Sequence, residues 1–189
     1  VYREHLNFIV PTAYSEEIER RMSASRRRQI RKSLALGTRI VEAENLFKVR
    51  EFHRILVGLY REKVRKPLPD WSFFEKFFLH RDRLGVILLV LTGDTVIGGI
   101  LCPIFNKDAL YEWYVCGLDE LYPRHYPSVM ATWAAIDYAQ KKGIKHFAFL
   151  GAGSPERDYG VREFKARFAG DSVGHGRYMS INHQFLFEL

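Results

Sequence analysis

Between residues 84 and 117 the chain carries three strand-like apolar segments in succession, joined by short turns. Leu84 to Leu91 is apolar throughout, and the turn Gly93-Asp94 leads into Thr95 to Phe105, which predicts a β-hairpin. Asn106-Lys107-Asp108 forms a second turn, and Ala109 to Gly117 is the third predicted strand. Strands of this kind bury one or both faces, so the remaining segments must supply helices that cover the sheet.

The segments after this sheet alternate between helix and strand. Pro127 to Lys142 has the spacing of an amphipathic helix, with Met130, Trp133, Ala134 and Tyr138 inward and Gly143 at its end. Ile144 to Leu150, which ends in the apolar run Phe147-Ala-Phe-Leu150, is predicted to be a fourth strand of this series. A glycine-rich turn and a short amphipathic helix follow, and Asp171 to Ser180 predicts one or two final strands.

Three helices are predicted before the sheet, after an opening strand at residues 1–10. The first runs from Ser15, its cap, to Leu36, and Gly37 then leads into a strand at Thr38 to Glu42. The second and third are Leu46 to Val64 and Asp70 to His80. Their predicted buried side chains are Ile18, Met22, Ile30, Leu34, Phe47, Phe52, Ile55, Leu56, Leu59, Trp71, Phe74, Phe77 and Phe78. The order predicts one α+β domain over 1–189 with a mixed, largely antiparallel sheet, which we interpret as one lobe of a longer protein.

Composition and charge indicate which classes of protein and which kinds of partner to expect. A hydrophobic fraction of 47% argues against a disordered chain. The sequence has no uninterrupted run of 18 apolar residues, so no membrane span is predicted. With no signal peptide, and with Cys102 and Cys116 expected as buried reduced thiols, we expect a cytoplasmic protein. The histidines show no metal-binding spacing, so no metal is expected. A net charge of +7 favours polyanionic partners.

The loop and helix at 151–170 form the most informative stretch for function. The apolar strand ends in Gly151-Ala-Gly-Ser-Pro155, and the helix that follows places Phe164 and Phe168 four residues apart on one face. Arg162, Lys165 and Arg167 occupy its other sides. A loop at the carboxyl end of a strand, next to clustered cations, is suited to an anionic or carbonyl-bearing substrate.

The order of elements resembles the GNAT acyltransferase fold. Two stretches, Ser25-Arg-Arg-Arg-Gln-Ile-Arg-Lys-Ser33 and Tyr159-Gly-Val-Arg-Glu-Phe-Lys-Ala-Arg-Phe-Ala-Gly170, resemble the carboxyl-terminal lobe of FemABX-like transferases. The end motif of that family reads roughly Gly-x-x-x-Phe-Lys-x-x-Phe-Gly, and Phe164, Lys165 and Phe168 match it position by position, whereas Ala169 replaces the last glycine.

This resemblance implies transfer of an aminoacyl group from aminoacyl-tRNA to an amine on a cell-envelope precursor, linked to a nucleotide or a lipid. It implies no tightly bound cofactor, since the activated donor is a co-substrate. Lys165 would hold donor charge or stabilise the developing oxyanion, with Phe164 packed beside it. The segment Arg124-His-Tyr-Pro-Ser-Val129 lacks the glycines with which ordinary GNAT enzymes bind coenzyme A pyrophosphate.

Glu112 and Tyr114 are candidate catalytic residues on the third predicted strand. Strict alternation places both on one face, and the corresponding strand lines the cleft in GNAT folds. Glu112 would take the proton of the attacking amine, and Tyr114 would donate to the leaving group. The alternative for Glu112 is an ion-paired structural carboxylate, and both interpretations stay open.

The remaining candidates are substrate-binding residues. Arg27, Arg28 and Arg31 lie on the arginine-rich helix and would contact phosphates of a donor or acceptor, or else form a solvated face. In the glycine-rich loop, Asp158, Tyr159 and Arg162 would position the acceptor, and Gly151 would permit the turn.

Two alternatives to aminoacyl transfer remain open. A GNAT N-acyltransferase would use acyl-CoA or acyl carrier protein to acylate an amino acid or a small amine. A non-catalytic lobe would bind RNA or phosphate through its basic helix, although the strands lack the aromatic pattern of an RNA-recognition sheet.

Overall fold

The structure, a computed structural model, describes residues 2–13, 15–156, 160–178 and 180. Its strands are β1 (Tyr2–Pro11), β2 (Arg39–Glu42), β3 (Gly85–Thr92), β4 (Thr95–Phe105), β5 (Ala109–Tyr111), β6 (Tyr114–Gly117), β7 (His146–Ala148) and β8 (Asp171–Tyr178). Its α-helices are α1 (Ser15–Arg21), α2 (Ala24–Ala35), α3 (Leu46–Leu59), α4 (Trp71–Leu79), α5 (Arg81–Leu84), α6 (Pro127–Lys141) and α7 (Gly160–Ala166). A π-helical turn, Tyr60–Val64, continues α3.

The strands form one open sheet in the order β2-β3-β4-β5-β7-β1-β8, and β6 also pairs with β4. Only β5 and β7 are parallel among the described pairs, so the sheet is mixed and largely antiparallel, as predicted. The predicted hairpin is confirmed, because β3 pairs with β4 along the whole length of β3. Helices flank this sheet, which confirms the α+β fold class.

Two apolar clusters fill the two sides of the sheet. One joins α2 and α6 to the central strands, and its largest buried side chains include Phe147, Phe149 and Phe168. The other packs α3 and α4 against β3 and β4, where Phe52 and Phe74 are buried. The aromatic face predicted for α4 is therefore core, whereas Phe47 of α3, also predicted to be buried, is 66% exposed.

The single helix predicted from Ser15 to Leu36 is wrong, since the chain breaks at Met22 and Ser23. The Ser23 side chain caps α2 by accepting a hydrogen bond from the Arg26 amide, so a second helix starts there. Because of this break, the apolar side chains of α1 and α2 do not form one continuous stripe. Leu34 is 47% exposed although it was predicted to be buried.

Both cysteines are buried free thiols, as predicted. Cys102 on β4 and Cys116 on β6 lie inside the sheet, where burial raises the pKa of each thiol. Across the described residues, no three His, Cys, Asp or Glu side chains are grouped as a metal site requires. No helix in the described part of the chain is long and apolar enough to cross a membrane.

Gly117, at the end of β6, is in close contact with the first turn of α6. A Cβ atom there would lie 2.3 Å from the Ser128 amide nitrogen and 2.6 Å from its hydroxyl oxygen. We expect Gly117→Ala to lower the free energy of unfolding by about 1–3 kcal/mol, because α6 must move away from β6. Urea unfolding measures this change.

Gly58→Ala is the matched control for this prediction. Gly58 lies within α3, and a Cβ atom there would meet nothing within 4 Å. Alanine favours helix over glycine by about 0.5–1 kcal/mol, so this variant should be as stable as the wild type or more so. Equal stability of the two variants would contradict the close packing of β6 on α6.

Candidate active site

The strand predicted from Ala109 to Gly117 is interrupted at Glu112 and Trp113, and the interruption opens a cleft. The Glu112 amide donates to the carbonyl of Ala148 in β7 over 2.9 Å. The next amide, that of Trp113, turns the other way and donates to Leu101 of β4 over 3.1 Å. From this point β6 follows β4, and β7 ends at Ala148, so the neighbouring strands separate.

The cleft has a volume of about 420 Å³ and lies between β6, the end of β7, α6 and α7. Its lining consists of Tyr60, Glu112, Trp113, Val115, Ser128, Phe149, Leu150, Gly160, Val161, Phe164 and Lys165. Most of these side chains are apolar or aromatic, while a carboxylate and an ammonium group lie at the floor. This composition is typical of small-molecule sites.

Glu112 and Lys165 form a buried ion pair at the floor of the cleft. The Lys165 Nζ lies 2.9 Å from the Glu112 Oε1, and the two side chains are 9% and 6% exposed. Nζ also donates to the carbonyl oxygens of Phe149, at 2.6 Å, and Gly151, at 3.0 Å. These three partners use all three N–H groups of the ammonium. Lys165 is therefore not on the solvated side of α7, and its charge is matched by Glu112.

The second carboxylate oxygen of Glu112 is the least satisfied polar atom of the cleft. Oε2 is buried and has no hydrogen-bond partner among the described residues. Burial raises the pKa of Glu112, and the charge and hydrogen bond of Lys165 oppose that rise. A buried oxygen without a partner is costly unless a ligand supplies a donor. The arrangement can accept a proton or a hydrogen bond from a group bound in the cleft.

The loop after β7 is held in place by Arg162 and by two residues with positive φ. Leu150 has φ 47° and Gly151 has φ 104°, so the chain turns sharply where the ion pair is anchored. Arg162 Nε donates to the Ala152 carbonyl over 3.0 Å, and its Nη2 donates to that of Ser154. Arg162 thus supports the loop, and its predicted contact with an acceptor stays a prediction. Two further predicted loop residues, Asp158 and Tyr159, lie outside the described residues.

Arg26 connects the arginine-rich helix to α7. Its guanidinium carbon lies 4.4 Å from the ring centroid of Phe164 and 5.1 Å from that of Phe168. The two rings are 5.2 Å apart, so the two side chains meet as predicted, although α7 ends at Ala166 and Phe168 lies in the turn after it. Burial lowers the pKa of Arg26 to about 10, with a smaller contribution from the charge of Arg167. This cation–π contact fixes the Phe164 wall of the cleft.

Of the other arginines of α2, one has a structural role and two are exposed to solvent. Arg27 Nη1 donates to the carbonyls of Glu19, at 2.6 Å, and Met22, at 2.9 Å, and so caps α1. Arg28 and Arg31 are exposed. None of the three lines the cleft, and their predicted phosphate contacts remain predictions.

Tyr114 does not line the cleft with Glu112, and the expectation that both lie on one face is wrong. The break at Glu112 and Trp113 removes the strict alternation on which that expectation depended. The Tyr114 ring packs in the aromatic cluster of α3 and α4, 5.4 Å from Phe74 and 5.9 Å from Phe73. Its predicted donation to a leaving group would require that this packing change.

Tyr60, Trp113 and Ser128 are among the cleft residues that were not recognised from the sequence. Tyr60 enters from the π-helical turn, a distortion that recurs at functional sites. Trp113 is 46% exposed at the rim, where its ring stacks on Phe73 at 6.0 Å. Ser128 comes from the first turn of α6. The sequence carried a usable signal for two of these residues only: Trp113 is a tryptophan beside Glu112 in a predicted strand, and Ser128 stands at the start of a predicted helix.

A carboxylate occupies the start of α6, where a helix can bind phosphate. The Ser128 amide donates to Asp119 Oδ1 over 3.2 Å, and its hydroxyl donates to Oδ2. Pro127, at the first helical position, offers no N–H. Asp119 therefore opposes an anion at this helix start, in agreement with the absence of glycines from residues 124–129.

Comparison with solved structures finds the same fold in other proteins. FemX matches with a TM-score of 0.75 and 14% identity, over 88% of this chain and 59% of that chain. The carboxyl-terminal domain of a putative lysylphosphatidylglycerol synthetase from Agrobacterium fabrum matches at 0.64 and 12%, over 93% and 60%. An aminoglycoside acetyltransferase from an uncultured soil metagenomic sample matches at 0.55 and 16%, over 77% and 97%. The chain thus spans about three fifths of the first two, and these likenesses show the fold alone.

Sequence comparison gives the family. No curated protein matches the chain significantly. The profile of the acetyltransferase (GNAT) domain, however, matches residues 20–166, which include both sides of the cleft and the Glu112–Lys165 pair. The chain therefore belongs to the family of GNAT acetyltransferase domains.

Proposed function

We propose that the cleft transfers an aminoacyl group from an activated ester to an amine, with Glu112 as the general base. The observation that carries this proposal is the unpartnered, buried Oε2 of Glu112 at the floor of the cleft. Its raised pKa makes it a stronger base than a solvated glutamate. The amine nitrogen attacks the acyl carbon, its proton passes to Oε2, and the C–O bond to the leaving group breaks as Oε2 returns this proton to the leaving oxygen.

In this proposal Lys165 is a positioning residue. Its three N–H groups already contact Glu112, Phe149 and Gly151, so a direct contact with the oxyanion would require one of them to break. Lys165 contacts Oε1 of Glu112 and thereby keeps Oε2 available to the acceptor amine. The outer edge of β6 has no strand partner in the described part of the sheet, and its backbone amides are the donors we propose for the oxyanion.

An aminoacyl-tRNA donor is favoured over coenzyme A by two features. The Phe164-Lys165 pair with Phe168 matches the FemABX-like end motif, and the likeness in fold to FemX supports the same class. Asp119 occupies the helix start at which a diphosphate would bind. The acceptor would be an amine on a nucleotide- or lipid-linked envelope precursor, and the exposed Arg28 and Arg31 would contact phosphates of either substrate.

A donor comparison on the full-length protein tests this proposal. We expect charged tRNA to bind more tightly than uncharged tRNA or acetyl-CoA at matched salt, because only the charged form places an acyl ester in the cleft. Asp119→Asn should strengthen acetyl-CoA binding, since it removes a charge next to the helix start, and Asp137→Asn on α6 is the control.

Other outcomes would replace the proposal. Transfer from acyl-CoA or acyl carrier protein without tRNA would identify an N-acyltransferase. Equal binding of charged and uncharged tRNA, falling steeply with salt and without transfer, would identify an RNA-binding lobe.

A further inference from the structure

A second cavity lies on the face of the sheet that is turned away from α6 and α7. Its volume is about 560 Å³, and it is lined by His5, Leu6, Asn7, Ile9, Asp108, Ala109, Tyr111, His146, Ala148, Leu150, Gly151, His175 and Arg177. We call it the histidine cavity. It shares Leu150 with the cleft, but the Glu112–Lys165 ion pair is not part of its wall.

Basic side chains lie directly opposite one another beside this cavity. In the β1–β8 ladder Arg3 pairs with Arg177, and His5 pairs with His175. The register is continuous, and residues two apart on a strand share a face, so all four side chains lie on one face. Cations directly opposite in a sheet destabilise it, and an anion between them removes that cost.

The nearby carboxylates are already paired. Asp108, in the cavity wall, forms an ion pair with Lys145 at 3.0 Å, and Asp171, at the start of β8, pairs with Arg21. Glu4 alternates to the opposite face of β1. The arginine pair therefore has no carboxylate partner among the described residues.

His146 adds a donor or acceptor that nothing satisfies. It lies in the cavity wall on β7, and its Nδ1 is buried without a hydrogen-bond partner in the described structure. Beside it, Ile9, Ala109 and Ala148 provide an apolar surface, and Tyr111 provides a ring. The cavity thus combines basic side chains with an apolar wall.

We propose that the histidine cavity binds a small organic anion, with a phosphate or carboxylate head on an apolar or planar body. Arg177, His175 and His5 contact the head, and the body lies along Ile9, Ala148 and Tyr111. A guanidinium group and the N–H groups of imidazole rings can together donate hydrogen bonds to the oxygens of such an anion. This site is separate from the acyl-transfer cleft and does not depend on the function proposed for it.

Isothermal titration with phenyl phosphate tests the site, because this probe has both a head and a planar body. Benzoate replaces the head by a carboxylate, inorganic phosphate lacks the body, and phenol lacks the charge. We expect phenyl phosphate or benzoate to bind more tightly than inorganic phosphate or phenol. His175→Ala and Arg177→Ala should each weaken this binding by about tenfold or more, and Arg54→Ala, an exposed arginine on α3, should not.

Arg177→Glu supplies an independent test. It places a carboxylate opposite Arg3, so the free protein should melt at a higher temperature than the wild type while binding of phenyl phosphate is lost. The inference is overturned if none of the probes binds, if Arg54→Ala weakens binding as much as Arg177→Ala, or if Arg177→Glu lowers the melting temperature of the free protein.

Discussion

Glu112→Gln is expected to lower the rate of acyl transfer by a factor of about 10²–10⁴, the usual contribution of a general base. Glutamine keeps an oxygen that can accept the hydrogen bond from Lys165, so the floor of the cleft should persist. It cannot take the proton of the attacking amine. Single-turnover transfer, with the donor bound, measures this change without interference from product release.

The pH profile separates a base from a merely structural carboxylate. Burial raises the pKa of Glu112, and only the ionised form is a base, so the wild-type rate should rise with pH through a value above that of a solvated glutamate. Glu112→Gln should lose this acidic limb, whereas Glu163→Gln, on the exposed side of α7, should retain it. An unchanged limb in Glu112→Gln would assign the base to another group.

Lys165→Met should lower the free energy of unfolding by about 3–5 kcal/mol, because it leaves the Glu112 carboxylate buried without its cation. It also leaves the carbonyls of Phe149 and Gly151 without their donor. Loss of activity in Lys165→Ala would therefore not by itself identify a catalytic group, since the fold of the loop would change with it. Urea unfolding of the variant gives the stability directly.

A double variant shows how much of this loss is electrostatic. Glu112→Gln with Lys165→Met contains neither charge, so its loss of stability should be smaller than the sum of the two single losses. Arg167→Met is the matched control, because Arg167 pairs with Glu163 across an exposed turn of α7 and should cost about 1 kcal/mol or less. Additive losses at Glu112 and Lys165 would contradict a coupled buried pair.

The elements that the sequence predicted well are those that local patterns determine. The hairpin of β3 and β4 was predicted from two apolar runs around Gly93-Asp94, and α6 from its helical spacing and the Gly143 that ends it. Each of these signals lies within a few residues of the element that it determines. The match of Phe164, Lys165 and Phe168 to a known motif located one wall of the site in the same way.

The details of the cleft depend on contacts between distant segments. The break at Glu112 and Trp113 occurs because the Glu112 amide pairs with β7 and the Trp113 amide pairs with β4. The sequence of residues 109–117 does not show which neighbouring strand each amide will pair with. Lys165 looks like a solvated lysine on a short helix until β7 and Glu112 are placed beside it. Tyr60 likewise reaches the cleft only through the π-helical turn at the end of α3.

The long-range anchoring of Lys165 has a consequence for the order in which the site is assembled. Glu112 is synthesised well before α7, and until α7 docks its carboxylate has neither its cation nor the cover that buries it. The β3–β4 hairpin, β6 and α6 can form beforehand from nearer contacts, since loop-closure entropy delays the distant ones. A nascent chain should therefore assemble this part of the sheet and α6 before its reactive carboxylate is paired, so a chain synthesised only as far as α6 has no competent base.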